Sequence, residues 1–236
     1  MQVRDSLCIA LDGSDRQWIL ATAATLANHT GWLKIGLEAF VAHGPALVLE
    51  IADLGPQIFL DLKLHDIPAT VEAAAANCAA CGAAMLTVHA GGGRRMIEAA
   101  VVGAHSGAVA GPPKVVAVTV LTSLDSQALE ELGVGRSPED LVLSWADLAR
   151  GAGASGVVTS AREASALRTK CGDGFVIVTP GIRSKDAAVD DQRRVVAPAA
   201  ALAAGADILV VGRPITRAPD PVEAAQHILA EMSAVE

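Results

Sequence analysis

Short apolar and β-branched runs alternate with alanine-rich segments along the chain, and a turn with glycine or a polar residue usually separates the two. The runs have the composition of buried strands, and the alanine-rich segments are long enough for helices. The predicted strands are 7–11, 32–35, 58–64, 85–89, 115–119, 156–158, 175–178 and 207–211. The predicted helices are 14–28, 37 onward, 68–81, 94 onward, 124–132, 138–151, 161–170, 197–204 and 221–232. Eight strand–helix units favour an α/β fold, a (β/α)8 TIM barrel, over an open doubly wound sheet, and residues 1–236 are expected to form a single domain.

Two predicted helices carry a local start signal. Ser14 is a plausible N-cap for the first helix, because a serine hydroxyl can accept a hydrogen bond from a free backbone N–H. Pro68 stands at the expected first position of the helix after the third strand, where its missing N–H costs nothing.

The third predicted strand, 58–64, has one wholly apolar face, whereas its other face runs from an aromatic ring to Asp61 and Lys63. Taken alone, this pattern fits a solvated edge strand with a surface ion pair about as well as a functional site. In a barrel, however, that face points inward, and buried charges need partners. Lys34 of the second strand and Asp66 of the following turn can alternate with Asp61 and Lys63 in an ionised chain.

Polar residues stand at the end of one predicted strand after another. They are Asp12, Lys34, Asp61, Lys63, His89, Thr122, Ser123, 180–183 and 212–213. Barrel enzymes carry their chemistry at the C-terminal ends of the strands, and a random surface would spread charges over both ends. The pattern therefore predicts an active site at this end of the barrel.

The last two strand–helix loops are the usual phosphate site of such barrels. Gly212 would let the backbone approach an anion, and Arg213 offers a bidentate guanidinium. Arg183 and Gln192 flank the loop after the seventh strand, and this loop, 181–192, is polar and long enough to close as a lid.

Composition narrows the classes of function. Hydrophobic residues make up 52% of the chain and the mean hydropathy is +0.42, which argues against disorder. A net charge of −8 makes a general affinity for nucleic acid or an anionic membrane unexpected. The beginning of the chain has no secretory pattern, and no segment is predicted to span a membrane.

Cysteine and histidine usage predicts no metal site. Cys78 and Cys81 form a CxxC within an alanine-rich run and are interpreted as small residues on a buried helix face, because no second CxxC or close histidine pair completes a zinc set. Reduced cysteines fit an intracellular, cytoplasmic protein. The remaining histidines considered are expected to be structural, since no convergent partner is evident for them: His43, His65, His105 and His227.

Six short segments stand in order between residues 7 and 217. They are Ala10-Leu11-Asp12, Lys34-Ile35-Gly36, Asp61-x-Lys63-x-x-Asp66 with Ile67-Pro68-x-Thr70, Leu121-Thr122-Ser123, Thr179-Pro180-Gly181-Ile182-Arg183, and Val211-Gly212-Arg213-Pro214-Ile215. Together they resemble the signature of the orotidine 5′-phosphate decarboxylase family. Related phosphate-binding barrels share the DxKxxD, whereas the full series is specific.

The resemblance implies a cofactor-free decarboxylation of orotidine 5′-phosphate to uridine 5′-phosphate, the last step of pyrimidine nucleotide synthesis. Lys63 would protonate C6 of the pyrimidine, Asp61 would lie against the substrate carboxylate, and Lys34 would bridge the charged array and the ribose. Asp66 would reach into the neighbouring subunit's site, together with Thr70, which implies a homodimer with shared sites.

The resemblance also implies contacts for the rest of the nucleotide. Ribose hydroxyls would be bound by Asp12 and Thr70, and the base by Thr122 or Ser123. The loop that begins at Pro180 belongs to the same site. The 5′-phosphate would be held by Arg183, Gln192, Gly212 and Arg213. The chain departs from the family in having Ala69 where asparagine is common and Ile215 where a tyrosine often contacts the phosphate.

Two other functions are weighed against this one. A 3-keto-gulonate 6-phosphate decarboxylase or hexulose-phosphate synthase shares the barrel and the DxKxxD, but these enzymes use Mg²⁺ and typically have a glutamate where Lys34 stands. A non-catalytic nucleotide-binding barrel would be expected to have lost Lys63 or one of its carboxylate partners, and all are present. No metal and no other cofactor is therefore expected.

Overall fold

A computed structural model describes residues 2–184 and 196–234. These residues contain eight parallel strands that pair in chain order, and pairing of the first with the eighth closes the barrel. The strands are β1 (Leu7–Ala10), β2 (Trp32–Gly36), β3 (Gln57–Leu64), β4 (Met85–His89), β5 (Lys114–Val118), β6 (Gly156–Val158), β7 (Val176–Thr179) and β8 (Ile208–Val211). The predicted (β/α)8 barrel is confirmed.

Helices connect the strands and surround the barrel. They are α1 (Arg16–Leu26), α2 (Leu37–Ala52), α3 (Pro68–Ala80), α4 (Arg94–Ser106), α5 (Ser126–Glu131), α6 (Pro138–Gly151), α7 (Ala164–Cys171), α8 (Pro198–Ala203), α9 (Arg213–Thr216) and α10 (Pro221–Ser233). Short 3-10 helices cover Val3–Ser6, Ala27–His29 and Ala90–Gly92. The one-turn helix α9 was not among the predicted elements.

The first helix begins later than predicted. Its N-cap is Asp15, whose carboxylate accepts hydrogen bonds from the backbone N–H groups of Gln17 and Trp18. Ser14 instead donates to the Glu38 carboxylate over 2.8 Å, so the expectation that Ser14 caps α1 is wrong. The expectation for Pro68 is confirmed, because it occupies the first turn of α3.

Apolar side chains form two layers, one inside the barrel and one between the strands and helices. The inner layer includes Cys8, Trp32, Phe59 and Met85, all 6% exposed or less. On β3 the alternation is as predicted, because Ile58 and its apolar partners on the same face belong to the outer layer. The face with Asp61 and Lys63 therefore points into the barrel, and the solvated-edge interpretation is wrong.

Helices α3 and α4, which follow β3 and β4, lie unusually close together. At Gly103 of α4, an added Cβ would lie 2.0 Å from the carbonyl oxygen of Glu72, so the helix backbones touch where a larger residue would clash. The alanine-rich surface of α3 allows the same approach along its length. This contact joins the unit that carries Asp61 and Lys63 to the neighbouring unit of β4.

The four cysteines are free thiols. Cys78 is buried on the inner face of α3, as predicted, and burial raises the pKa of its thiol to about 11. Cys81 is the C-cap of that helix and is partly exposed. Within residues 2–184 and 196–234, no helix has both the length and the apolar character needed to cross a membrane.

Candidate active site

A cavity of about 390 Å³ opens at the C-terminal ends of the strands. Nine of the residues that the sequence predicts for the site line it: Asp12, Lys34, Asp61, Lys63, Thr122, Pro180, Arg183, Gly212 and Arg213. They come from six different strand–helix units, so closure of the barrel is what brings them together. The cavity lies at the end of the barrel that the polar pattern indicated.

Four charged side chains from β1, β2 and β3 alternate in sign along one wall. The Lys34 Nζ lies 3.0 Å from Asp12 Oδ1 and 3.4 Å from Asp61 Oδ2. The other oxygen of Asp61, Oδ1, lies 2.7 Å from Lys63 Nζ. The alternating chain is therefore Asp12–Lys34–Asp61–Lys63. Its second carboxylate is Asp12, whereas the sequence spacing had suggested Asp66.

The middle of this array is the part most shielded from water. Side-chain exposure is 55% at Asp12 and 29% at Lys63, but only 13% at Asp61 and 8% at Lys34. A buried ion pair is favourable only when each charge is compensated well. Here Lys34 lies between two carboxylates and Asp61 between two ammonium groups, which meets that condition.

The protonation states follow from the same geometry. Burial alone would raise the pKa of Asp61, but Lys34 and Lys63, with hydrogen bonds from Lys63 and Thr87, outweigh it and hold that pKa below its ordinary value. Burial alone would lower the pKa of Lys34, but Asp61 and Asp12 outweigh it and raise that pKa. Both central groups are therefore ionised at neutral pH.

Gly36, the last residue of β2, makes room for the first ion pair of the array. An added Cβ at this position would lie 3.0 Å from both Asp12 Oδ1 and Lys34 Nζ. These are the two atoms that form the Asp12–Lys34 contact. A side chain here would push the pair apart, which is why glycine suits this position.

The backbone of β3 is irregular at its charged end. Leu60 pairs with Leu86 and Leu64 with Val88, so four steps along β3 match only two along β4. Lys63 lies in this bulge with a φ of +50°, a left-handed conformation that no other described non-glycine residue adopts. From this irregular segment, Lys63 Nζ reaches to 2.7 Å from Asp61 Oδ1.

Thr87 of β4 supports this irregular segment, and the sequence analysis missed it. It is fully buried, and its hydroxyl oxygen lies 2.8 Å from the Lys63 backbone nitrogen and 3.1 Å from Asp61 Oδ1. The period-two rule could have found it, because Thr87 shares one face of the predicted strand with His89, a residue already assigned to the site end of the barrel.

The part of the cavity formed after β7 and β8 is cationic. Arg183 follows β7 and is almost buried, whereas Arg213 and Arg217 lie on and directly after α9. Arg217 was not predicted, although a spacing of four residues from Arg213 on a helical turn puts both on one face. Other lining residues that the sequence analysis missed include Glu38, Thr159 and Thr216.

The loop after β7 is described only at its base. The backbone N–H of Arg183 donates to the carbonyl oxygen of Val196, and that of Val196 donates to Gly181. Gln192 lies outside the described residues, and so does most of the predicted lid, 181–192. Ile215, which stands where the family often has tyrosine, is fully buried rather than exposed to the cavity.

Three predicted site residues do not line the cavity that the described residues form. Asp66, Thr70 and Ser123 are exposed. The Asp66 carboxylate accepts a hydrogen bond from the Ile67 N–H over 2.6 Å, and no ion pair joins it to Lys63 within residues 2–184 and 196–234. These residues stay predictions.

Two histidines have partners that the sequence did not reveal. The ring of His65 lies 5.4 Å from that of His89, which ends β4 beside the array. His227 lies 3.1 Å from the Glu231 carboxylate and contacts Ser184 as well. The expectation that neither residue has a convergent partner is therefore wrong.

The family of the chain follows from comparison of its whole length. Residues 5–228 match the model of the orotidine 5′-phosphate decarboxylase/HUMPS family. The chain belongs to this family. The predicted resemblance is therefore confirmed over nearly the whole chain, and not only at the charged motif.

Relatives within the family share the full length. An orotidine 5′-phosphate decarboxylase of Anaeromyxobacter sp. (strain K) is 51% identical over 230 residues, which is 98% of this chain and 99% of that protein. One from Moorella thermoacetica is 48% identical and covers 100% of this chain and 95% of its own length. The crystal structure of orotidine 5′-phosphate decarboxylase from Lactobacillus acidophilus is 38% identical, with a TM-score of 0.87 over 97% of this chain and 99% of that one.

Proposed function

We propose that the chain decarboxylates orotidine 5′-phosphate to uridine 5′-phosphate. The observation that carries this is one cavity that holds an alternating array of lysines and aspartates after β1, β2 and β3 and arginines after β7 and β8. An acidic pyrimidine and a phosphate are the two ends of this substrate. The name carried by relatives about 50% identical over their whole length supports the same activity.

Lys63 is the group that stabilises and protonates the reacting carbon, C6. The bond between C6 and the carboxylate breaks, CO₂ leaves, and the electron pair stays on C6. The Lys63 ammonium, held 2.7 Å from Asp61, presents positive charge where this pair develops and then transfers its proton to C6. Solvent returns a proton to the amine before the next turnover.

Asp61 and Lys34 hold this ammonium in place. Asp61 is ionised and nearly buried, and it would lie against the carboxylate that the substrate loses. Lys34 compensates the second oxygen of Asp61 and links the array to Asp12, which is half exposed and available to a ribose hydroxyl. Preorganised charges of this kind need no rearrangement during the reaction.

The arginine side of the cavity would bind the phosphate. Arg183 and Arg213 can form charge-assisted hydrogen bonds with its oxygens, Gly212 offers close approach of the backbone, and Gln192 stays a prediction beyond the described residues. Thr122, and Ser123 if the loop moves toward it, would contact the base. Binding energy from the remote phosphate would lower the barrier at C6.

A homodimer would complete the site. Support comes from Asp66 and Thr70, which are exposed beside the cavity, and from Ile67 between them, an apolar side chain that is 66% exposed. A second copy covering this surface would bury Ile67 and bring a carboxylate toward its partner's Lys63. Each copy would fold as a single domain, and the enzyme would be cytoplasmic.

The metal-using relatives on the same barrel are less well supported. In this chain the Lys34 ammonium lies between the Asp12 and Asp61 carboxylates, so those oxygens already neutralise a cation. A non-catalytic nucleotide-binding barrel is also less well supported, because Lys63 and Asp61 keep their contact.

The test is the loss of orotidine 5′-phosphate absorbance with purified protein and no added cofactor. Turnover is expected, and EDTA should leave it unchanged. Lys63→Ala protein purified in the same way measures any contaminating host activity. A rate no greater than that of this variant would contradict the proposal, and loss of the rate in EDTA would favour a metal-dependent enzyme.

A further inference from the structure

Thr87 is a buried hydroxyl that contacts two members of the array without being charged itself. Thr87 lies in the middle of β4 and is 0% exposed. Its Oγ1 lies 2.8 Å from the backbone nitrogen of Lys63 and 3.1 Å from Asp61 Oδ1. One hydroxyl group thus joins the main chain of the proposed proton donor to the carboxylate that holds its ammonium.

The direction of both hydrogen bonds is determined by chemistry. A backbone N–H can only donate, so the Thr87 oxygen accepts from Lys63. The ionised Asp61 carboxylate can only accept, so the Thr87 hydroxyl proton is directed to it. Because both neighbours require the same orientation, the hydroxyl has one fixed orientation. With the hydrogen bond from Lys63 Nζ to Asp61 Oδ1, the two contacts of Thr87 close a ring of hydrogen bonds.

The bulge in β3 explains why a side chain is needed at this point. Residues 61–63 have no Cα partner on β4, because its register resumes only at Leu64 with Val88. Lys63 also holds a left-handed backbone conformation, which is unfavourable for a residue with a Cβ. The Thr87 hydroxyl accepts from the Lys63 N–H where the regular strand pairing is interrupted.

We propose that Thr87 is a positioning residue, which holds the left-handed backbone of Lys63 and orients Asp61 toward the Lys63 ammonium. The role in catalysis rests on the proposed function, whereas the two contacts do not. Thr87 touches no reacting atom, so its effect must pass through Lys63 and Asp61.

Three variants separate positioning from packing. Thr87→Val keeps the shape of the side chain and removes the hydroxyl, and Thr87→Ser keeps the hydroxyl and removes the methyl. Thr30→Val is the matched control, because Thr30 is 3% exposed and its hydroxyl donates to the Leu7 carbonyl at the opposite end of the barrel. It measures what loss of a buried threonine hydroxyl does away from the array.

The kinetic expectation follows from the lost contacts. Thr87→Val should lower kcat by roughly 10- to 100-fold, which matches loss of a hydrogen bond to a charged group, with little change in KM. The acid limb of its kcat profile should move to higher pH, since Thr87 helps to hold the Asp61 pKa down. Thr87→Ser should restore both, and Thr30→Val should change neither. Wild-type kcat and an unmoved acid limb in Thr87→Val, or no rescue by serine, would overturn the proposal.

Two measurements on ligand-free protein do not depend on turnover. By ¹³C NMR, with Asp61→Asn for assignment, the Asp61 carboxyl should titrate at higher pH in Thr87→Val than in wild type. The titratable groups that interact with it, Lys34, Lys63, His89 and Cys8, are the same in the two proteins. In wild type, the Thr87 hydroxyl proton should exchange slowly and show a cross-peak to the Lys63 amide. This holds even if Thr87→Val does not fold.

The two proposals can fail separately. An unshifted Asp61 titration, or a Thr87 hydroxyl that exchanges as fast as an exposed one, would overturn the positioning role whatever the enzyme does. Wild type without decarboxylase activity would overturn the proposed function. In that case shifted titration and slow exchange would still establish Thr87 as the residue that orders the Lys63–Asp61 pair.

Discussion

Removing the buried ammonium of Lys34 should destabilise the fold in a way that depends on pH. Lys34→Met keeps a side chain of similar length in a site that is 8% exposed and deletes two ion pairs, at 3.0 Å to Asp12 and 3.4 Å to Asp61. Breaking a buried pair by removing one partner costs about 3–5 kcal/mol, because the other charge is left uncompensated. Asp61 keeps Lys63 at 2.7 Å and Thr87, and Asp12 is half exposed, so a loss near the lower end, about 3 kcal/mol, is expected.

The sign of the pH dependence follows from both pKa shifts. The Asp61 pKa is below its ordinary value of 3.8, so its contribution is present above that pH and is lost as pH falls through the lower, folded-state pKa. The Lys34 pKa is above its ordinary value of 10.5, so its contribution is present below that pH and is lost as pH rises through the higher, folded-state pKa. The deficit of Lys34→Met should therefore be constant at neutral pH and shrink in acid, where Asp61 becomes protonated.

Urea unfolding followed by circular dichroism at a series of pH values measures this deficit. The matched control is Lys114→Met, because Lys114 is exposed at the start of β5, and a surface change of this kind alters stability by at most about 0.5 kcal/mol. Equal stabilities of the two variants at neutral pH would refute the reasoning. A deficit that persists unchanged in acid would show that the loss comes from packing and not from the Asp61 charge.

Three further substitutions test the site. Lys63→Ala should lower kcat by at least roughly 10,000-fold, because both proton transfer and charge stabilisation are lost, while gel filtration and circular dichroism stay as in wild type. Substantial residual turnover would show that Lys63 is not the proton donor. Arg213→Ala should raise KM for orotidine 5′-phosphate by roughly 10- to 100-fold, as expected for a lost charge-assisted hydrogen bond, and an unchanged KM would mean that the phosphate binds elsewhere. Gly36→Ala should lower kcat/KM by roughly tenfold with little change in unfolding free energy, because its Cβ would lie 3.0 Å from both atoms of the Asp12–Lys34 pair; wild-type kinetics would show that this pair tolerates displacement.

The order of elements and the end of the barrel that carries the site could be predicted from the sequence. Strand and helix periods are local properties, so the β3 alternation and the exact bounds of β4 and α6 were correctly predicted from residue types alone. Parallel strands in a barrel share one C-terminal end, so Asp12, Lys34, Asp61 and Arg213 could be assigned to one cavity before any distance was known.

The partners within that cavity depended on the tertiary structure. Asp12 joins the array because β1 pairs with β2, with Ala10 opposite Lys34. Pairing of Leu7 with Leu209 then closes the barrel and puts Gly212 beside Asp12. Neither pairing is encoded in local spacing, which favoured Asp66 instead.

The same is true of the β3 bulge and of Thr87. The period-two rule puts Thr87 on the inward face with His89. No period in the sequence, however, reports that four steps of β3 match two of β4, so the contact of Thr87 with the Lys63 N–H could not be predicted. The sequence by itself determined which residues carry charge and which end of the barrel they face. The tertiary structure decided which oxygen meets which ammonium, because contacts between strands depend on register and closure, which are properties of the whole sheet.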